Sequence, residues 1–298
     1  MTNDETTCRA QLDELERTLG AEHPKTLSSL NNLANLLSDK GDLAGAEPLI
    51  RRALAARERL LGPEHLDTLS SLNSLANLLK QQGDLAGAEP LYRRALAVME
   101  RALGPEHSSA LAILNNLANL LSDKGDLAGA EPLYLWVLKV RERVLGPEHP
   151  DTLVSLNNLA VLLSDKGDLT KAEPLSRRAL QVRERVLGPE HPDTLKSLNN
   201  LATLLEKKGD LVGAEPLYRR ALTVMERVLG PEHPDTLSSL NNLATLLAAK
   251  GDLAGAEPLP ERAARGLLTK LGAENPNTKM AQRNLDRIRS ERAAKEKQ

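Results

Sequence analysis

Residues 147–188 read PEHPDTLVSLNNLAVLLSDKGDLTKAEPLSRRALQVRERVLG, and close copies of this stretch recur along the chain. A Leu-Gly pair ends each copy, at Leu19-Gly20, Leu61-Gly62, Leu103-Gly104, Leu145-Gly146, Leu187-Gly188, Leu229-Gly230 and Leu271-Gly272, always 42 residues apart. Six full repeats therefore occupy residues 21–272, with a half-copy at 1–20 and a partial copy at 273–298. All six histidines (His23, His65, His107, His149, His191 and His233) share one slot of the unit, which Asn275 holds in the partial copy. A period of this length signals a stacked repeat array rather than ordinary domains.

Each unit reads as two helices. In the first copy Leu27, Leu30, Leu33, Ala34 and Leu37 recur at three- and four-residue steps, which lines one side of an α-helix, helix A, over about residues 24–40. Pro24 suits the first turn, whose amides lack intrahelical acceptors, and Gly41 suits the left-handed closing position. Asp42 offers an N-cap for helix B, whose stripe of Leu43, Ala46, Leu49, Ile50, Ala53 and Leu54 runs to about Leu60 before Gly62-Pro63. The Ala-Glu-Pro proline, Pro48 in this copy, predicts a local kink. One such pair cannot bury its apolar face alone, whereas stacked pairs share a continuous core, so the expected fold is an all-α solenoid of antiparallel helix pairs. Residues 8–20 align with helix B, and residues 276–293 align with a helix A whose leucines are largely replaced, giving a polar cap.

Composition narrows the function. The 298 residues carry 39 Lys+Arg against 41 Asp+Glu, with one Cys, one Trp, three Tyr and no Phe. A balanced charge and few aromatic rings offer nucleic acid neither a phosphate-attracting surface nor a stacking platform, so none is expected as partner. No stretch approaches the ~20 apolar residues of a membrane span, and one Cys cannot form an intramolecular disulfide, so a soluble, cytoplasmic protein is expected. Nucleophilic catalysis needs unlike residues converging once, but here nearly every polar type repeats in register, which speaks against an enzyme and against cofactors. Equivalent atoms of successive repeats lie about 10 Å apart per helix layer, so the histidines cannot share one zinc needing ligands at ~2.1 Å. They read as part of a helix-entry turn. Cys8 occupies the slot of Ile50 and Tyr92 and reads as a core residue.

From Leu30 to Glu58 the unit resembles the tetratricopeptide pattern, through Leu33-Ala34, Leu37, Gly41-Asp42, Ala46, the tyrosine-bearing slot of Ile50, and Ala53. The 42-residue period and the strings KGDLAGAEPLYRRAL and RERVLG are similar to the longer variety found in kinesin light chains. That resemblance implies a right-handed superhelix with A helices on the concave side and B helices on the convex side. It also implies a groove for a protein or peptide rather than catalysis.

On the helical wheel three asparagine slots lie off the leucine stripe. The first is the column Asn31, Asn73, Asn115, Asn157, Asn199 and Asn241, and the third is Asn35, Asn77 and Asn119, replaced later by Val161, Thr203 and Thr245. Asn32 opens the column between them. A side-chain amide both donates and accepts, so such columns suit the main chain of an extended peptide. The alternative is that these amides bond between neighbouring repeats, or were copied by duplication. Chaperone-binding relatives clamp a carboxylate with Lys or Arg at such inner slots, and none stands at the Asn31 and Asn35 equivalents. On the B side, Leu135-Trp136 interrupts the pairs Arg51-Arg52, Arg93-Arg94, Arg177-Arg178 and Arg219-Arg220, giving an apolar contact for a partner on the convex face or neutral drift. The leading expectation is thus a non-enzymatic scaffold that binds a partner segment along the A helices. The other readings are end-to-end self-assembly through the half-repeats, and the sensor arm of a larger effector.

Overall fold

A computed structural model describes residues 5–296, and among them no strand occurs. The first helices are α1 (Glu5–Leu19), α2 (Pro24–Asp39), α3 (Leu43–Leu61), α4 (Leu66–Gln81), α5 (Leu85–Leu103) and α6 (Ser108–Asp123). By internal contacts the chain forms two units that divide inside α7 (Leu127–Val144), after Val140. The second unit continues with α8 (Pro150–Asp165), α9 (Leu169–Val186), α10 (Pro192–Lys207), α11 (Leu211–Val228) and α12 (Pro234–Ala249). It ends with α13 (Leu253–Ala256), α14 (Pro258–Leu271) and α15 (Pro276–Lys295). Within each unit every helix packs on the next, and consecutive A helices also touch, as α2 does α4 and α8 does α10. The protein is an all-α solenoid of antiparallel helix pairs.

Local chemistry fixes the helix ends. Gly41 sits at φ 86°, and the Asp42 amide reaches back to the Leu37 carbonyl, closing α2 in a left-handed turn. Asp42 then caps α3 by accepting from the Gly45 amide. At the opposite end the histidine ring itself is the cap. Nδ1 of His149 accepts from the Asp151 amide at 3.1 Å, and the other five histidines bond the same way. Asn275 does so with its side-chain oxygen, accepting from Asn277 at 2.9 Å. A short acceptor is thus what the slot requires. Beside the cap, Thr152 donates to the Gly146 carbonyl and pins the preceding turn, as Thr26, Thr68, Thr194 and Thr236 do in theirs.

Helix B runs unbroken through its internal proline in α3, α5, α7, α9 and α11. In the sixth repeat it splits at Glu257 into α13 and α14, because Pro260 follows Pro258 and a second amide is lost from the same turn. The cap helix α15 buries Thr278, Ala281, Leu285 and Ile288 and keeps its charges outside. Its Arg292 and Arg289 both bond the Glu257 carboxylate, which holds that acid below the usual glutamate range.

The seam between repeats carries a buried cation that the sequence pattern did not flag. Arg183 in α9 is 5% exposed; its Nη1 donates to the Ser197 hydroxyl at 2.6 Å and to the Asp193 carbonyl at the start of α10. Arg141 engages Ser155 and the Asp151 carbonyl in the same way, and Arg57 engages Ser71 and the Asp67 carbonyl. Burial pulls these guanidinium pKa values down and the nearby aspartates push them back, so the groups stay charged. Where helix B carries Met99 instead, the serine slot of the next helix is Ile113. Each arginine has its serine, whereas Met225 stands before a retained Ser239.

Replacing His149 with Ala is expected to cost about 0.5–2 kcal/mol and to speed amide exchange at Asp151, whereas His149→Asn keeps the cap and both readouts near wild type. For the seam, Ser197→Ile is expected to destabilise by about 1–3 kcal/mol, because a buried guanidinium loses its hydroxyl acceptor. Adding Arg183→Met rebuilds the Met99–Ile113 pair and should recover most of that loss. A double-mutant cycle on urea midpoints checks it, and additive losses would refute the coupling.

Candidate functional site

The A helices present three parallel rows of side chains, and each expected site residue has a definite position in them. The Asn31 row lies at the boundary between one A helix and the next. Asn31 is buried, donates to the Ser71 hydroxyl at 3.1 Å, and keeps its own Oδ1 buried without a partner. The half-buried Asn73 and Asn157 accept from Asn116 and Asn200 of the following repeat, and Asn241 accepts from Asn284 on α15. Asn199 accepts from the Ser239 hydroxyl at 3.3 Å, and Asn115 is buried. These amides tie successive A helices together. Asn31 turns to Ser71 because Ser74 stands where later repeats supply the donating amide. Ser239 is available to Asn199 because Met225 stands where an arginine would claim it.

The Asn35 row works within a repeat. Asn77 accepts a hydrogen bond from the Tyr92 hydroxyl and Asn119 one from Tyr134, both on the B helix that follows. Thr203 faces Tyr218 at 2.8 Å in the same relation. The rings are buried, which drives the phenol pKa values up and keeps the hydroxyls as donors. Asn35 lies opposite Ile50 and is exposed. Each tyrosine-bound amide still has its two N–H donors uncommitted by that bond. The third row, from Asn32 onward, supplies the donors of the cross-repeat bonds at Asn116, Asn200 and Asn284.

Between the rows the wall is indented at one place where the arginine slot is apolar. Beside Met99 and Ile113 a cleft of about 390 Å³ opens, bounded by Leu66, Leu69, Asn73 and Leu103. It combines an apolar floor with one of the expected asparagines at its edge. On the B side Leu135 and Trp136 are 48% and 40% exposed. Trp136 holds the slot at which Arg52, Arg94, Arg178 and Arg220 each pair a glutamate of the preceding repeat. Cys8 is buried against the first repeat. Among the described residues no group of three or more His, Cys, Asp or Glu side chains is arranged to hold a metal ion, and no helix is long and apolar enough to cross a membrane.

Aligning the chain's own repeats exposes two touching pairs that depart from their sisters: Met99 with Ile113 across a seam, and Ser176 with Val161 within the fourth repeat.

No curated protein matches the chain. Among solved structures, a kinesin light chain candidate from Podosopora anserina with nearly identical TPR-like repeats is 26% identical. That match covers 70% of this chain and 98% of the other at a TM-score of 0.60. BtubC (BKLC) from P. vanneervenii is 25% identical over 78% of this chain and 94% of its own, at a TM-score of 0.65. The tetratricopeptide repeat pattern matches residues 26–101, 67–143, 109–179, 155–223 and 198–268 in overlapping pairs of units. With matches running through all six repeats, the seams and caps described above are those of a tetratricopeptide repeat protein, and the chain belongs to that family.

Proposed function

We propose that this protein is a non-enzymatic interaction scaffold that receives an extended partner segment along its A helices, the concave wall in this family. Tetratricopeptide repeats generally mediate protein–protein interactions. The observation that carries the finer reading is the cleft beside Met99 and Ile113, an apolar recess with Asn73 at its edge. Apolar recesses with a few placed polar groups are what side-chain recognition requires. The partner's main chain meets the amides that keep open valences: exposed Asn35, the tyrosine-anchored Asn77 and Asn119, and half-buried Asn73, Asn157 and Asn199. Asn31, Asn115 and Asn241 serve the wall itself. The histidine caps, the buried Cys8 and the register of the polar residues all support a binding role over a catalytic one.

End-to-end stacking of copies is the second reading. Such stacking is head-to-tail and would bring the face of α15 with exposed Lys279, Arg283 and Arg287 toward α1 of the next copy, which carries Asp13, Glu14 and Glu16.

A peptide selected by display on the intact protein provides the test. Met99→Arg with Ile113→Ser installs the arginine–serine link of the sister repeats in the cleft. It is expected to weaken calorimetric affinity at least ~tenfold while leaving helicity and melting temperature unchanged. Asn35→Ala is expected to weaken it several-fold. Unchanged affinity in both variants rules the A-helix groove out, and light scattering that shows concentration-dependent growth would favour assembly instead.

A further inference from the structure

Each end of the chain holds half of a repeat. Helix α1 is a B helix without the A helix that would precede it, and α15 is an A helix without the B helix that would follow it. An open cleft lies beside each half. The one between α14 and α15, about 500 Å³, has Ala264, Leu268, Lys279, Gln282 and Arg283 on its walls. The one between α1 and α2, about 520 Å³, has Gln11, Leu15 and Asn32 on its walls. The repeat pattern puts the missing B helix in the first cleft and the missing A helix in the second.

We propose that α1 of a second copy of this chain docks on α15 as its B helix, so that the two half-repeats make one whole repeat across the junction. The sister repeats fix which residues meet, and each meeting pair is chemically matched. Leu237 lies against Gly266 within the sixth repeat, and the same two slots across the junction hold Lys279 and Glu14. Leu114 clusters with Val137, as Leu240 does with Ala263, and the junction sets Gln282 against Gln11. The ion pair Arg59–Glu22, repeated at Arg101–Glu64, Arg185–Glu148 and Arg227–Glu190, has its counterpart in Arg17 and Glu274. The pair Arg94–Glu58, repeated at Arg178–Glu142 and Arg220–Glu184, becomes Ala10 beside Leu268, both apolar. Arg57 with Ser28 becomes Leu15 with Met280. Where Asn73 meets Asn116, the guanidinium of Arg283 meets the amide oxygen of Asn32. Leu268 and Met280 are 52% and 40% exposed, and the side chains of Glu14, Arg17 and Asn32 have no polar partner among the described residues. Docking exchanges the exposed Lys279–Glu274 pair, at 2.6 Å, for two ion pairs across the junction. Solvation of two chain ends asks only for polar residues, whereas opposite charges at facing slots and apolar residues at facing slots are what an interface asks for. The contact joins unlike ends, so it repeats from copy to copy and growth passes beyond a dimer.

The inference rests on the end-to-end reading above and not on the A-helix groove. Sedimentation velocity of the full chain across concentration provides the test, and wild type is expected to grow past a dimer and to dissociate at high salt. Glu14→Lys and Lys279→Glu each put like charges at the junction, and each is expected to weaken association at least ~tenfold with an unchanged melting temperature. In an equimolar mixture of the two variants every mixed junction brings opposite charges together, so association should return to the wild-type level, as it should in the doubly substituted chain. A wild-type chain that stays monomeric throughout overturns both this junction and the end-to-end reading, leaving the two faces as solvated caps. Growth that either single variant leaves intact, or that mixing fails to restore, overturns the junction alone. None of these substitutions touches the Met99 cleft, so a failed junction and a failed groove give different results.

Discussion

A 42-residue helix pair has no interior of its own, so its apolar stripes are covered only by each other and by the next pair. Leu27, Leu30 and Leu33 of α2 and Ala46, Ile50 and Ala53 of α3 are buried on that condition. Without phenylalanine, the core gains its stability from many small burials, each worth ~25 cal/mol per Å² of apolar surface, rather than from a few large rings. Such a layer is non-directional, and leucines tolerate a range of sliding and rotation. The polar groups at the seam supply the direction. Arg183 reaches across to one hydroxyl and one carbonyl at the start of α10, and both acceptors are found only when the two repeats are in phase. A charge this deeply buried is stable because its hydrogen bonds are met, and the same condition makes it a register pin.

Helix boundaries were legible because the residues that set them act locally. Gly41, Asp42, Pro24 and the histidine slot each work within a turn of their own position, so spacing alone reveals them. The role of the histidine was less legible than its place: Asn275 in the equivalent slot is the clue that an acceptor is needed, since Asn and neutral His share little else. The asparagine rows were harder. A helical wheel separates the leucine stripe from the rest, but the rest includes both the surface facing a ligand and the edge facing the neighbouring A helix. Asn31 and Asn73 lie on that edge, and which side of it they occupy depends on the spacing between A helices, a property of two repeats and not of one. Arg57, Arg141 and Arg183 were hidden for the opposite reason. In RERLLG and RERVLG they look like solvated charge, and only the approach of the next helix takes them out of water.

Comparing the chain with itself recovers much of this. Copies that began alike diverge at pairs of slots that touch: Met99 with Ile113 across a seam, and Ser176 with Val161 within a repeat. A buried cation without its acceptor is costly, and so is a buried phenol without one, so each arginine keeps its serine and each tyrosine its acceptor, whereas Ser239 and Asn35 persist opposite Met225 and Ile50. Both pairs lack the hydrogen bond of their sisters, and both have space beside them.

That divergence bears on recognition. A wall made only of identical steps offers a ligand the same chemistry at every shift of one repeat, so a bound segment could occupy several registers with equal free energy and be fixed in none. Amide rows cannot remove this degeneracy, because the amides that recur most faithfully are the ones committed to neighbouring repeats. Positions at which one repeat differs from its sisters do remove it. The Met99–Ile113 pair in the first unit and the Ser176–Val161 pair in the second are such positions. On the proposed A-helix reading, a ligand side chain seated at one of these pairs is not matched at an ordinary step, and selectivity concentrates where the repeat pattern fails.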